Sequence, residues 1–185
     1  MVTHFKGYRI ASTRWSSWDY GRPAWYFVTI CTRQRARSLA CIRGGALEYT
    51  VTGRLAAECW ERIRTLHTGV RLAEWVVMPD HLHGLIRPAG ALTLESGAGP
   101  GQPSPPRWRA QTLGVLINQF KRAVTLEARR QGIPWLGWQP RFHDRIVRDA
   151  TAFHAIRRYI LMNPVRYLRA HGVCDRRGPP DHDSE

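Results

Sequence analysis

Val70-Arg71-Leu72-Ala73-Glu74-Trp75-Val76-Val77-Met78-Pro79-Asp80-His81-Leu82-His83-Gly84-Leu85-Ile86-Arg87 decides how the rest of the chain is read. Residues 70–79 carry Leu72, Trp75, Val76, Val77 and Met78 and read as a strand. A tight turn at Pro79-Asp80 leads into a partner strand over residues 81–87. In a strand, residues i and i+2 project to the same side. His81 and His83 therefore stand together, about 6–7 Å apart at the backbone, on a rigid apolar base. Two imidazoles so placed can share one divalent ion, and imidazole by itself does not choose the metal. The same triplet also reads as a surface histidine pair on an edge strand.

Working outward, residues 25–31 are rich in β-branched and aromatic side chains and read as a strand. Residues 33–37 form a basic loop, and residues 46–50 a second short strand. Leu55, Cys59, Ile63 and Leu66 fall at helical spacing within residues 52–67. Helical spacing returns with Leu113, Leu116, Ile117, Phe120, Val124 and Leu126 and ends near Gly132. Residues 141–147 are a strand candidate, and Asp149 is the expected N-cap of a helix bearing Phe153, Ile156 and Ile160. Pro164 is expected to end or kink that helix. The order is strand, strand, helix, strand, strand, helix, strand, helix. Strands close in sequence favour antiparallel pairing, and the returning helices would cover one face. The fold class is α+β, a ferredoxin-like sandwich with an antiparallel β-sheet. Residues 1–24 read as a basic, aromatic arm, 25–170 as the domain, and 171–185 as a polar tail. Residues 88–106, dominated by Gly and Pro, read as a flexible insertion.

The 185 residues suffice for one domain with a real core. No apolar run reaches the roughly 20 residues of a membrane span, and residues 1–10 lack the apolar stretch of a secretory signal. Cys31, Cys41, Cys59 and Cys174 form no CxxC pair, so zinc-ribbon and redox motifs are not expected, and reduced thiols in a cytoplasmic protein are. Lys and Arg total 28 against 14 acids, a net +14, and only Lys6 and Lys121 are lysines. Guanidinium grips phosphate bidentately and stacks on bases. With 8 Trp and 6 Tyr, this balance points to a nucleic-acid partner. The competing reading is an arginine-biased but inert surface.

Tyr159 and Asn163 are four residues apart and share a helical face. A phenol and an amide oxygen so spaced could meet a metal-bound phosphate. Tyrosine is a weak nucleophile unless a metal or base assists it. Otherwise Tyr159 joins the apolar face and Asn163 caps the helix. His143 and Asp144 read as a secondary polar pair, and Trp108, Trp135 and Trp138 as packing residues that could also stack bases. No GxxxxGK[ST], GxGxxG or GxSxG occurs, which argues against nucleotide, dinucleotide and hydrolase chemistry.

Several blocks in order resemble the single-tyrosine HUH transposases, and among them the REP-associated tyrosine transposases. They are Tyr26-Phe27-Val28-Thr29-Ile30-Cys31-Thr32, Glu58-Cys59-Trp60, and Val76-Val77-Met78-Pro79-Asp80-His81-Leu82-His83-Gly84. Asn118-Gln119-Phe120-Lys121-Arg122-Ala123-Val124 and Trp138-Gln139-Pro140-Arg141-Phe142, running on through Ile146-Val147-Arg148-Asp149, continue the match. It closes with Ile156-Arg157-Arg158-Tyr159-Ile160 and Asn163-Pro164 and spans about residues 8–168. The resemblance implies a ferredoxin-like or RRM-like HUH nuclease core. It implies His81 and His83 as metal ligands, Asn163 as the third, and Mg²⁺ or Mn²⁺ as the ion. Tyr159 would attack a phosphate of single-stranded DNA at hairpin-associated sites, leaving a 5′-phosphotyrosine and a free 3′-hydroxyl, which another 3′-hydroxyl resolves by strand transfer. Lys121, Arg122, Arg141, Arg148 and Arg158 are the expected DNA contacts. The partner would be single-stranded or hairpin DNA and no membrane, with the chain a monomer or homodimer in the bacterial cytoplasm, associated with the nucleoid. A domesticated hairpin-binding protein without mobilising activity is the alternative. Relatives usually carry Tyr where His143 stands and His where Arg145 stands, and relatives outside this branch often have Gln at the place of Asn163.

Overall fold

A computed structural model of the chain describes residues 22–89 and 112–171, Trp18, and the backbone of two short paired strands, β1 (His4–Phe5) and β2 (Tyr8–Arg9). The expected arm over 1–24, insertion over 88–106 and tail over 171–185, with Trp108 and Cys174, otherwise lie outside the described residues. The order continues with β3 (Tyr26–Cys31), a 3-10 turn (Arg33–Arg35), β4 (Ala40–Arg43), β5 (Ala46–Tyr49) and α1 (Val51–Leu66). Then come β6 (Arg71–Met78), β7 (His81–Arg87), α2 (Leu113–Arg130), β8 (His143–Ile146) and α3 (Ala150–His171).

The central sheet has four strands in the order β6-β7-β3-β8, every pair antiparallel. Its register sets His83 opposite Thr29 and Val76, and His81 opposite Cys31 and Met78. Paired residues share a face of the sheet, so alternation along β6, β7 and β3 separates two apolar sets. Val28, Ile30, Val77, Leu82 and Ile86 pack against α1 and α2. Val76, Met78 and Leu85, on the opposite face, pack against Ile156 and Ile160 of α3. The helices therefore cover both faces, where the sequence pattern suggested one. The reason is in β6: Trp75-Val76-Val77-Met78 is apolar without alternation, as a strand buried on both sides must be.

β4 is a strand that the sequence pattern did not suggest. It forms a hairpin with β5 across Gly44-Gly45, whose φ values of +55° and +78° suit a primed two-residue turn that strongly favours glycine. Thr50 caps α1, its hydroxyl accepting from the Gly53 N–H at 3.1 Å. A Cβ at Gly53 would lie 1.8 Å from the Leu39 carbonyl oxygen, so glycine lets α1 pass close to the chain entering β4. Asp149 caps α3 as expected, accepting from the Ala152 N–H at 2.7 Å. Pro164 does not end that helix, which runs on to His171. The apolar contacts of Tyr167 beyond the proline hold the last turns on the sheet.

Candidate active site

The two histidines project from the face of the sheet that α3 covers. Their Nε2 atoms are 3.1 Å apart and their ring centroids 4.4 Å apart. Each Nδ1 has its own support. The Nδ1–H of His81 donates to the Asp80 carboxylate at 2.6 Å, because an ionised carboxylate can only accept. That leaves the Nε2 of a neutral His81 ring as an acceptor. The Nδ1 of His83 lies 2.8 Å from the Thr29 hydroxyl, which can donate or accept as the ring tautomer requires. His83 is 6% exposed, and burial, together with the neighbouring His81, pushes its pKa down to about 3. It is therefore neutral near pH 7.

Asp80 is itself held in place. Arg35 Nε lies 3.0 Å from its second carboxylate oxygen, and the same guanidinium donates to the Cys31 sulfur at 2.9 Å. Burial raises the Asp80 pKa, but the hydrogen bond and charge of His81 and the charge of Arg35 outweigh it, leaving the carboxyl below its ordinary value. Arg35 reaches this position from a turn in which both Gln34 and Arg35 have positive φ, 54° and 57°. Gly84, directly after the pair, is needed on the opposite face. A Cβ there would lie 2.4 Å from Cζ2 of the fully buried Trp60. The Trp60 ring thus packs against the backbone of the strand that carries both histidines.

Tyr159 comes down onto the pair from α3. Its ring is 5.5 Å from that of His83 and 5.9 Å, edge-on, from that of Phe27. It is 39% exposed, so a large substrate can reach it. The Arg166 guanidinium lies 5.6 Å over the same ring, a cation–π contact from about two turns further along the helix. Asn163 is one turn past Tyr159, with its amide nitrogen 3.4 Å from the Tyr159 carbonyl oxygen. The structure thus brings His81, His83 and Tyr159 together, while the Asn163 amide is turned along its own helix. Among the described residues no third His, Cys, Asp or Glu completes a metal-binding cluster with the two histidines. The converging Nε2 atoms, with both Nδ1 atoms supported by a carboxylate and a hydroxyl, fit a divalent ion that takes its other ligands from oxygen.

The expected DNA contacts are dispersed. Arg158 is exposed beside Tyr159. Arg141 and Arg148 are exposed on either side of β8. Arg122 is exposed on α2, in the layer opposite the histidines. Lys121 is directed inward. Its ammonium donates to the carbonyl of Gln139 at 2.9 Å and to that of Arg141, and burial pushes its pKa down to about 8. It fastens α2 to the loop that runs alongside β3. His143 and Arg145 pair with Thr29 and Phe27, so both belong to the histidine face and are exposed there. Thr29, Asp80 and Arg35 were not among the candidates from sequence. Asp80 could have been found from its position next to His81, whereas Thr29 and Arg35 reach the site only through strand register and turn geometry.

No protein-family model matches the chain. A protein of Haemophilus influenzae, described only as uncharacterized, is 30% identical over 158 residues, spanning 83% of this chain and 87% of that one. Among solved structures, a REP-associated tyrosine transposase bound to a REP hairpin superposes with a TM-score of 0.55 at 18% identity. The match covers 85% of this chain and 74% of that one. The chain belongs to one family with the Haemophilus influenzae protein and has the fold of a REP-associated tyrosine transposase.

Proposed function

We propose that this chain is a metal-dependent single-strand DNA endonuclease and strand transferase of the transposase type, acting at hairpin-associated sites. The observation that carries the reading is the pair of Nε2 atoms 3.1 Å apart with the Tyr159 ring 5.5 Å from His83. His81, His83 and, after its amide turns, the Asn163 oxygen would hold Mg²⁺ or Mn²⁺. The bound ion would supply electrophilic assistance at the phosphate. The phenolic oxygen of Tyr159 gives up its proton and forms a bond to phosphorus as the bond to the 3′-oxygen breaks, and the departing 3′-oxygen takes up a proton to become a hydroxyl. The phosphate stays esterified to tyrosine, so the energy for rejoining is retained and no nucleotide cofactor is needed. A 3′-hydroxyl from another end then attacks the same phosphorus and releases the tyrosine. The related fold bound to a REP hairpin supports hairpin DNA as the substrate class.

The test is incubation with hairpin oligonucleotides from the gene's own flanks, with Mg²⁺ or Mn²⁺ and with EDTA. A covalent protein–DNA band that appears only with the ion supports the reading. No band with any flank hairpin in either ion contradicts it.

A further inference from the structure

The start of the edge strand β6 carries a second feature that the chemistry above does not use. A cleft of about 510 Å³ opens where the start of β6 meets the first turns of α3. Trp25 and Phe153 form one wall, with ring centroids 5.1 Å apart and planes inclined at 53°. Arg64 and Arg71 also line it, and at its base the Arg157 guanidinium donates to the Glu74 carboxylate. That ion pair is incompletely satisfied. Glu74 Oε2 and Arg157 Nε are both buried, and neither has a hydrogen-bond partner among the described residues. Those two atoms are closed off from solvent, while the Glu74 and Arg157 side chains as a whole stay 20% and 40% exposed beside the cleft.

We propose that this cleft binds one unpaired nucleotide of the single-stranded DNA that flanks the attacked phosphate. The inference rests on the functional reading above and names a substrate contact for it. The chemistry matches on each side. The aromatic wall offers a surface on which any base can stack. The edge of a base presents donors and acceptors, which the exposed parts of the Arg157 and Glu74 side chains lining the cleft can meet. Arg64 and Arg71 stand where the phosphates of a polyanion would pass, on a chain of net charge +14. Position agrees as well. Phe153 precedes Tyr159 by six residues, about 9 Å along the helix. Glu74 precedes Val76, the cross-strand partner of His83, by two residues, about 7 Å along β6. A strand crossing Tyr159 reaches the cleft within its immediate flanks.

The test uses the intact chain in EDTA and a fluorescein-labelled hairpin with four-nucleotide single-stranded flanks. An abasic site is placed at each flank position in turn, and affinity is read by fluorescence anisotropy. One flank position should weaken binding about tenfold when its base is removed. In Phe153→Leu and in Glu74→Gln that penalty should shrink to about twofold or less. Arg71→Ala, at an exposed position, should reduce the slope of log affinity against log salt by about 0.7 whatever the flank sequence. If no flank position is sensitive, the inference fails while hairpin binding stands. It fails in the same way if the penalty persists in the folded Phe153→Leu and Glu74→Gln proteins, or if the salt slope is unchanged in Arg71→Ala. Absence of binding to every oligonucleotide overturns this inference and the functional reading together.

Discussion

A neutral, buried His83 ties the histidine pair to pH. Its folded-state pKa of about 3 lies below its ordinary value of 6.5. Between those values the unfolded chain takes up a proton that the folded chain does not, so stability falls as pH drops through 6.5 towards 3. Without metal, urea midpoints should fall between pH 7 and pH 4.5, and fall less in His83→Gln. An equal fall in both proteins would mean that His83 titrates normally in the fold. Gly84 makes a second test at this scale. A methyl group there meets Trp60 at 2.4 Å, so Gly84→Ala should destabilise by about 1–3 kcal/mol, the range for an overfilled core. The loss should be smaller in a Trp60→Phe background. Equal losses in both backgrounds would place the strain elsewhere. At this scale the sequence showed His81, His83 and Tyr159 through spacing and resemblance. It did not show Thr29, because its approach to His83 Nδ1 depends on the pairing of β3 with β7.

At the scale of elements, periodicity located the principal helices and strands to within a few residues. Strands β6 and β7 meet at the expected Pro79-Asp80 turn, and Asp149 caps α3 as expected. Asp149→Ala should cost about 1 kcal/mol, read from thermal or urea unfolding. An unchanged midpoint would show that the cap contributes nothing. Of the two outcomes expected at Pro164, a helix end or a kink, the end does not occur. Local preference argues for a helix end, but Tyr167 packs against the sheet beyond the proline, and tertiary contact overrides the local rule. Pro164→Ala should therefore stabilise the protein, by up to about 3 kcal/mol, since a continuous helix gains back a backbone donor. No gain in the unfolding midpoint would indicate that the helix is in fact interrupted there. β4 escaped the sequence reading because its four residues are short and half-buried. The Gly44-Gly45 pair that follows was the available signal.

Across the whole molecule, a sheet with helices on both faces creates one surface on which histidines from β7 and a tyrosine from α3 can meet. Composition led to the expectation of a nucleic-acid partner, since 26 of 28 cations are arginine. It did not indicate which cations face the site, and Lys121 illustrates why. Its ammonium is committed to two backbone carbonyls, a role set by packing and invisible in charge counts. The central claim is that Tyr159, poised over the histidine pair, is the attacking group. Tyr167 is the rival on the same helix. It lies eight residues on, about 12 Å along the axis, with its ring stacked on His171 at 4.1 Å. The direct measurement is mass spectrometry of the peptide–nucleotide adduct trapped with a flank hairpin and Mn²⁺, in the native protein and in Tyr159→Phe. The account predicts the nucleotide on the peptide containing Tyr159, and no adduct in Tyr159→Phe although that protein folds and binds the hairpin. A nucleotide on Tyr167, or an adduct that persists in Tyr159→Phe, would contradict it.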